Sequence, residues 1–119
     1  MAADSGQINF QRGVMALAIL SLLKREDMYG YQLVQQMHSV SGGRITAQEG
    51  SLYPVLYKLQ EQGMISDRRV LVGKRMARIY YHLEPAGAAR LEELVREYES
   101  VTQGVFMIIR QEGENHDSQ

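Results

Sequence analysis

At 119 residues, the chain has the length of one domain with a modest core, for which association with a second copy would add stability. It contains no cysteine, which excludes disulfide bonds, thiolate metal sites and a cysteine nucleophile. It has 13 Lys and Arg residues and 14 Asp and Glu residues, so its net charge is −1 and the chain has no overall basic character.

The first predicted helix extends from about residue 9 to Lys24, after a loose polar stretch at residues 1–8. Residues 14–23 are apolar except for Ser21, a run shorter than the roughly 20 residues that cross a bilayer. Charged residues follow this run where a signal peptide would carry a small-residue cleavage site. We therefore expect a helix buried on more than one side, no membrane segment and a cytoplasmic location.

Two helices are predicted in the middle of the chain. One extends from about Tyr29 to Val40, and Asp27 lies where its side chain could cap the N-terminus. In the other, which ends at Gly63, Pro54 indicates that the first regular turn begins just before this residue. The apolar stripe of this helix, at helical spacing, consists of Leu52, Val55, Leu56 and Leu59.

The face opposite this stripe has an unusual composition for a solvated helix surface. It carries aromatic, hydroxyl and proline residues, whereas an ordinary solvated face would carry Glu, Lys and Gln. Such residues suit close contact with the surface of another molecule. The contact candidates on this face and its flanks are Ser51, Tyr53, Pro54, Tyr57 and Lys58.

Two strand-like runs follow, at residues 64–71 and 76–83, with a glycine and two cations between them. They predict a two-stranded β wing with a basic tip, and the whole pattern outlines a winged helix-turn-helix, an α+β fold that is mostly α. In that fold the second helix of the pair enters the major groove and the wing contacts backbone or minor groove. Outside this helix, the expected DNA contacts are Lys74, Arg75, Arg78, Arg44 and Tyr29.

The local charge agrees with DNA binding although the global charge does not. Residues 44–78 contain seven Lys and Arg against three Asp and Glu, a net charge of +4. Phosphate contacts depend on local charge, so this segment is sufficient to follow a duplex backbone. A merely solvated hairpin is the alternative, and the composition of the preceding helix argues against it.

A long helix is predicted from about Glu84 to Arg110, opened by Pro85. A helix of about 27 residues would be roughly 40 Å long, more than a winged-helix core can cover. Its far end and the first helix therefore both need a partner, which a symmetric homodimer supplies. The expected dimer interface joins Val14 and Leu17 to a heptad seam of Leu91, Leu94, Tyr98, Val101, Val105 and Ile108.

These elements divide the chain into a winged helix-turn-helix domain at residues 1–83, a dimerisation helix at 84–112 and a disordered tail at 113–119. Apolar seams between helices are places where bundles bind ligands, so we expect any effector to be a small apolar or aromatic molecule. A fully packed interface without a ligand is the alternative. The candidate ligand residues are Met15, Ile19, Tyr98, Phe106 and Met107.

Three fragments, in order and at matching spacing, resemble the PadR family of transcriptional regulators over about 100 of the 119 residues. They are Tyr-Gly-Tyr-Gln-Leu at 29–33, Gly-Ser-Leu-Tyr-Pro-Val-Leu at 50–56 and Arg-Ile-Tyr-Tyr-His-Leu at 78–83. The departures from the family pattern are mild, and Ile79 removes one cation from the wing. The resemblance implies a repressor that senses a small molecule or stress, in the short subfamily whose single C-terminal helix serves dimerisation.

Enzymatic chemistry has little support in the sequence. His38, His82 and His116 are far apart and lack the spacing of metal ligands, and no glycine pattern forms a phosphate loop. We therefore predict no catalytic residue, metal or cofactor. The leading hypothesis is a dimeric repressor on an inverted-repeat operator; the alternatives are a winged-helix module that binds protein, and a ligand-binding dimer that has lost DNA binding. A protein-binding wing would more often be apolar, which favours the first.

Overall fold

The computed structural model describes the backbone of residues 2–117 and the side chains of residues 13–111. Its elements confirm the predicted α+β fold, which is mostly helical, with a hairpin wing and a long C-terminal helix. In chain order they are α1 (Ala2–Arg25), β1 (Met28–Tyr29), α2 (Gly30–Val40), α3 (Glu49–Glu61), β2 (Ile65–Val72), β3 (Met76–Leu83) and α4 (Pro85–Asp117).

The sheet is antiparallel, and β3 lies between β1 and β2. The predicted hairpin is formed by β2 and β3, with Arg69 opposite Ile79. Gly73 in the connecting turn has a φ of 79°, a left-handed conformation that glycine adopts without steric cost. The sequence did not predict β1, which pairs Tyr29 with Tyr80 and makes the sheet three-stranded. Two residues are too few to show the alternation by which a strand is recognised.

The hydrophobic core lies between α1, α2, α3 and the base of the sheet. The predicted apolar stripe of α3 is buried there, as expected from its helical spacing. Leu91 at the start of α4 joins this core and is only 4% exposed. The largest fully buried side chains are Ile19, Leu20, Leu33, Leu52 and Leu56.

Three predicted helix boundaries are wrong. Helix α1 begins at Ala2 and includes the stretch expected to be loose, because extending a formed helix costs little where no proline interrupts it. Helix α4 continues past Arg110 to Asp117, into the expected tail, for the same reason. Helix α3 begins at Glu49, which places Pro54 inside the helix. Pro54 has no N–H to donate to the Gly50 carbonyl, and Gly50 carries no side chain at this weakened turn.

The predicted N-cap is also wrong. The N-cap position of α2 is Tyr29, and no side chain caps the helix. Asp27 instead bonds to Arg68 on β2 and to His82 on β3. Two basic partners satisfy its carboxylate more fully than one backbone N–H would.

Candidate nucleic-acid interface

Helix α3 presents the face that the sequence indicated. Its buried stripe fixes the rotation of the helix, so Ser51, Pro54, Tyr57 and Lys58 are exposed on the other side. Tyr57 is the largest of them and is 59% exposed. Aromatic, hydroxyl and ammonium groups of this kind can contact both phosphates and base edges.

Tyr53 differs from its neighbours because it is half-buried. Its hydroxyl lies 2.7 Å from where a Cβ on Gly30 would be, so the ring occupies space that the glycine leaves open. The Tyr53 ring tilts against Tyr57 with 6.3 Å between centroids. Burial raises the pKa of the Tyr53 hydroxyl, and the charge of Glu49 adds to this. Tyr53 therefore joins α3 to the start of α2, a contact that the sequence did not reveal.

The tip of the wing carries two exposed cations. Lys74 and Arg75 follow Gly73 in the turn between β2 and β3, and both are exposed. Arg44, another predicted contact, lies on the connection between α2 and α3, where its guanidinium donates to the Ser41 carbonyl at 3.3 Å. All three side chains are accessible to a phosphate backbone.

Arg78 and Tyr29, also predicted as DNA contacts, lie together on the outer surface of the sheet. The Arg78 guanidinium is 4.4 Å from the centroid of the Tyr29 ring, and both residues are half-buried. Tyr29 meets Tyr80 edge to face at 5.4 Å, and Arg68 lies over Tyr80 at 5.5 Å. These contacts form an alternating cation–aromatic cluster that holds β1 against the hairpin.

Asp27 anchors the base of the wing to the end of α1. Its carboxylate pairs with Arg68 and bonds to the His82 Nδ1 at 2.8 Å. Partial burial raises the pKa of Asp27, but the hydrogen bonds from His82 and Arg68 outweigh it, so the pKa lies below its ordinary value. Ser66 donates to Glu84 at 2.7 Å beside this group. Arg68 is therefore engaged within the protein, which reduces the positive charge that the wing offers to a ligand.

The predicted dimer residues fall into three groups. Leu91, predicted for the seam, lies instead in the core of its own chain, where the start of α4 packs on α1. Leu94, Val14 and Leu17 are half-buried. The remaining seam residues are exposed: Tyr98, Val101, Val105 and Ile108.

A groove of about 290 Å³ lies between α1 and α4, lined mainly by apolar side chains. Of the predicted ligand residues, Tyr98 lines it. Met15 and Ile19 are buried in the core and do not, while Phe106 and Met107 are exposed further along α4. The lining residues are Gly13, Val14, Leu17, Leu94, Glu97, Tyr98 and Val101.

Two features are absent from the part of the chain that the structure describes. No group of three His, Cys, Asp or Glu residues is placed there to hold a metal ion. None of the described helices is long and apolar enough to span a membrane.

Helices α1 to α3, followed by a two-stranded wing and a long helix, define a winged helix-turn-helix protein with a helical extension. Residues 19–93 match the model of the Transcriptional regulator PadR-like family, and the chain belongs to this family. The resemblance to this family that the three sequence fragments indicated is therefore confirmed.

Individual relatives agree with this assignment. The chain is 36% identical to the Mycobacterium tuberculosis transcriptional regulator Rv3488, over 82% of this chain and 87% of the relative. It is 33% identical to the Escherichia coli transcriptional regulator YqjI over 81% of its own length, and it spans 44% of that relative. The structure of Bacillus subtilis PadR in complex with operator DNA matches with a TM-score of 0.65 and 28% identity, over 69% of this chain and 47% of that one.

Proposed function

We propose that this chain is a DNA-binding transcriptional regulator that acts as a repressor, with α3 in the major groove and the wing along the adjacent backbone. The observation that carries the proposal is the exposed polar and aromatic face of α3 beside a basic wing tip. The similar PadR of B. subtilis was solved with operator DNA, which supports the same use of the fold here. The chain would act in the cytoplasm, without catalysis, metal or cofactor.

The proposed active form is a homodimer. Four seam residues on α4 are exposed in the single chain, with Ile108 at 66%, and the groove between α1 and α4 lies beside them. A second copy would cover this surface, since large exposed apolar patches mark interaction sites. A two-fold dimer that places its α3 helices roughly 34 Å apart would bind an inverted repeat with half-sites one turn apart.

The proposed effector site is the α1–α4 groove. Tyr98 supplies an aromatic ring with a polar group at this groove, and Val14 and Val101 supply apolar walls. A small apolar or aromatic molecule there would change the angle between α1 and α4, and so the spacing of the two α3 helices. Met15 and Ile19 would respond only indirectly, because both are enclosed in the core.

A salt titration of binding to a fluorescein-labelled random-sequence duplex tests the proposed function. Binding by phosphate contacts should weaken steeply as salt rises, with a slope of about −0.9 for each phosphate contacted. Replacing Lys74 and Arg75 together by Ala should flatten this slope by about two units per wing at most. Absence of salt-dependent binding by the wild-type protein would contradict the proposal.

A protein-binding winged helix is the second candidate, and one observation favours it. Leu71 and Met76 on the wing are 74% and 63% exposed, whereas a purely electrostatic wing would carry polar groups there. A protein partner would use these apolar side chains, and its binding would depend only weakly on salt. The titration above therefore separates the two candidates.

A further inference from the structure

The wing has two faces of different character, and the strand register defines them. Paired residues of β2 and β3 lie on the same face, and successive residues alternate. The pair of Ile65 and Leu83 lies against the core, so the face that carries it is the inner face. Arg69, Leu71 and Ile79 are at even spacing from this pair and belong to the same face.

The cations of the outer face are already engaged. Arg68 pairs with Asp27 and lies over Tyr80, and Arg78 lies over Tyr29. Arg69 on the inner face is exposed and forms no ion pair with the side chains of residues 13–111. Of the three arginines on the strands of the wing, Arg69 therefore has the charge that is most available to a ligand.

Apolar side chains accompany Arg69 on the inner face. Leu71 is 74% exposed and Ile79 is 40% exposed. Ile79 is directly opposite Arg69, and Leu71 is the next residue along the same face of β2, so the three side chains are neighbours. An exposed apolar strip next to a cation is typical of a contact surface rather than of a solvated strand.

The inner face adjoins the exposed face of α3. Tyr81 of the inner face is 3% exposed and lies in the core, where α3 contacts β2, and Tyr53 of α3 packs against the same core. Tyr81 and Asp67 are paired residues of the inner face, whereas Tyr53 and Tyr57 belong to α3. The inner face therefore continues from its core contact with α3 to the exposed part of the wing, so α3 and the wing can bind one ligand together.

We infer that Arg69, Leu71 and Ile79 lie against the sugar–phosphate backbone of the duplex that α3 binds. Arg69 pairs with a phosphate, and the two apolar side chains pack on the deoxyribose carbons beside it. Asp67 is on this face as well but lies two residues nearer the core, while Lys74 and Arg75 extend the positive charge to the tip. Contacts of this kind position a protein on DNA without reading its sequence. The inference rests on the proposed function.

Matched substitutions test it, using the full-length protein and the fluorescein-labelled random-sequence duplex. Arg69→Gln should flatten the salt slope by about 0.9 per wing for the lost contact, whereas Arg96→Gln, at an exposed position on α4, should leave the slope unchanged. Leu71→Gln should lower affinity about threefold without changing the slope, whereas Met76→Gln on the outer face should leave affinity unchanged. Thermal unfolding of each variant checks that the fold is intact.

The possible failures are distinguishable. If the wild-type protein shows no salt-dependent binding, the proposed function fails and the inference fails with it. If the wild-type protein binds but Arg69→Gln keeps the wild-type slope, as Arg96→Gln should, only the placement of the inner face is overturned. Unchanged affinity of Leu71→Gln would likewise overturn the packing of the strip on deoxyribose.

Discussion

Two glycines set how closely the elements of this protein approach one another. Gly87, in the first turn of α4, is buried against the backbone of Met64, and Gly30 at the start of α2 lies under the Tyr53 ring. Neither has a positive φ, so the space available to a side chain, and not backbone conformation, requires glycine at both positions. The tight contact at Gly87 fixes where α4 leaves the sheet.

Replacing Gly87 by Ala should destabilise the protein. The new methyl group would overlap the Met64 carbonyl oxygen and approach the Leu83 Cδ1 to 2.7 Å, and backbone atoms cannot easily move away. We expect a loss of about 3 kcal/mol in the free energy of unfolding, measured by denaturant titration. Gly104→Ala in the same helix is the control, because nothing lies within 4 Å of its Cβ position and alanine favours a helix. Equal stability of the two variants would contradict this account.

Replacing Gly30 by Ala should affect DNA binding through Tyr53. The methyl group would meet the Tyr53 hydroxyl at 2.7 Å and push the ring away from α2. We expect weaker DNA binding, because Tyr57 stacks beside Tyr53 on α3. Adding Tyr53→Phe removes the clashing oxygen and should restore part of the affinity, measured by fluorescence anisotropy. If the double variant binds no better than Gly30→Ala alone, the contact does not position α3.

Residue-level contacts were the least predictable from the sequence. The exposed members of the α3 face follow from its helical periodicity, so the sequence was enough to place them. The partners of Asp27 are 41 and 55 positions away along the chain, and no local pattern brings them together. Arg68 and Arg78 counted toward the local charge of +4 in the sequence, yet the fold engages both on the outer face of the sheet.

At the scale of elements, periodic segments were predicted well and short or proline-containing ones were not. The stripe of α3 and the wing hairpin are where the sequence placed them. Strand β1 forms because it pairs with β3, and this contact joins segments that are far apart in the sequence. Helix α3 begins five residues before Pro54, since its buried leucines stabilise the turn in which a hydrogen bond is missing.

The anchor between α1 and the wing gives a pH-dependent prediction. Because the pKa of Asp27 is lowered in the folded protein, its carboxylate favours folding above the unfolded pKa of about 4. This stabilisation is lost as the pH falls through the lower, folded pKa. Asp27→Asn should therefore reduce the free energy of unfolding by about 1 kcal/mol at neutral pH, and the difference from wild type should vanish in acid.

Denaturant unfolding at several pH values measures this difference. Asp67→Asn is the matched control, since Asp67 is exposed on the same hairpin and forms no ion pair with the described side chains. A difference between wild type and Asp27→Asn that persists unchanged below pH 3 would show that the charge of Asp27 does not anchor the wing.

At the scale of the whole molecule, part of the exposed apolar surface of α4 could be predicted from its heptad spacing. That spacing identified four of the eight large apolar side chains that are exposed on the described part of α4. The same spacing could not show that Leu91 belongs to the chain's own core, because seam and core residues share one periodicity. It also missed the second apolar edge of α4, where Phe106 and Ile109 are exposed beside the seam.

A charge placed in the seam should dissociate the proposed dimer. Ile108→Glu would bury a carboxylate in an apolar interface, whereas Gln103→Glu adds the same charge at an exposed position outside the seam. We expect sedimentation at micromolar concentration to show a dimer for the wild type and for Gln103→Glu, and a monomer for Ile108→Glu. A monomeric wild-type protein would defeat the proposed assembly.

Selection of bound fragments from a random DNA pool tests whether α3 reads DNA sequence. We expect enrichment of an inverted repeat whose half-sites are about 10 base pairs apart, centre to centre, because two α3 helices would enter successive major grooves. Tyr57→Ala and Lys58→Ala should each weaken binding of the selected fragment by about 1–3 kcal/mol. Failure of the wild-type protein to enrich any sequence, or undiminished binding by both variants, would contradict the assignment of α3 as the DNA-reading helix.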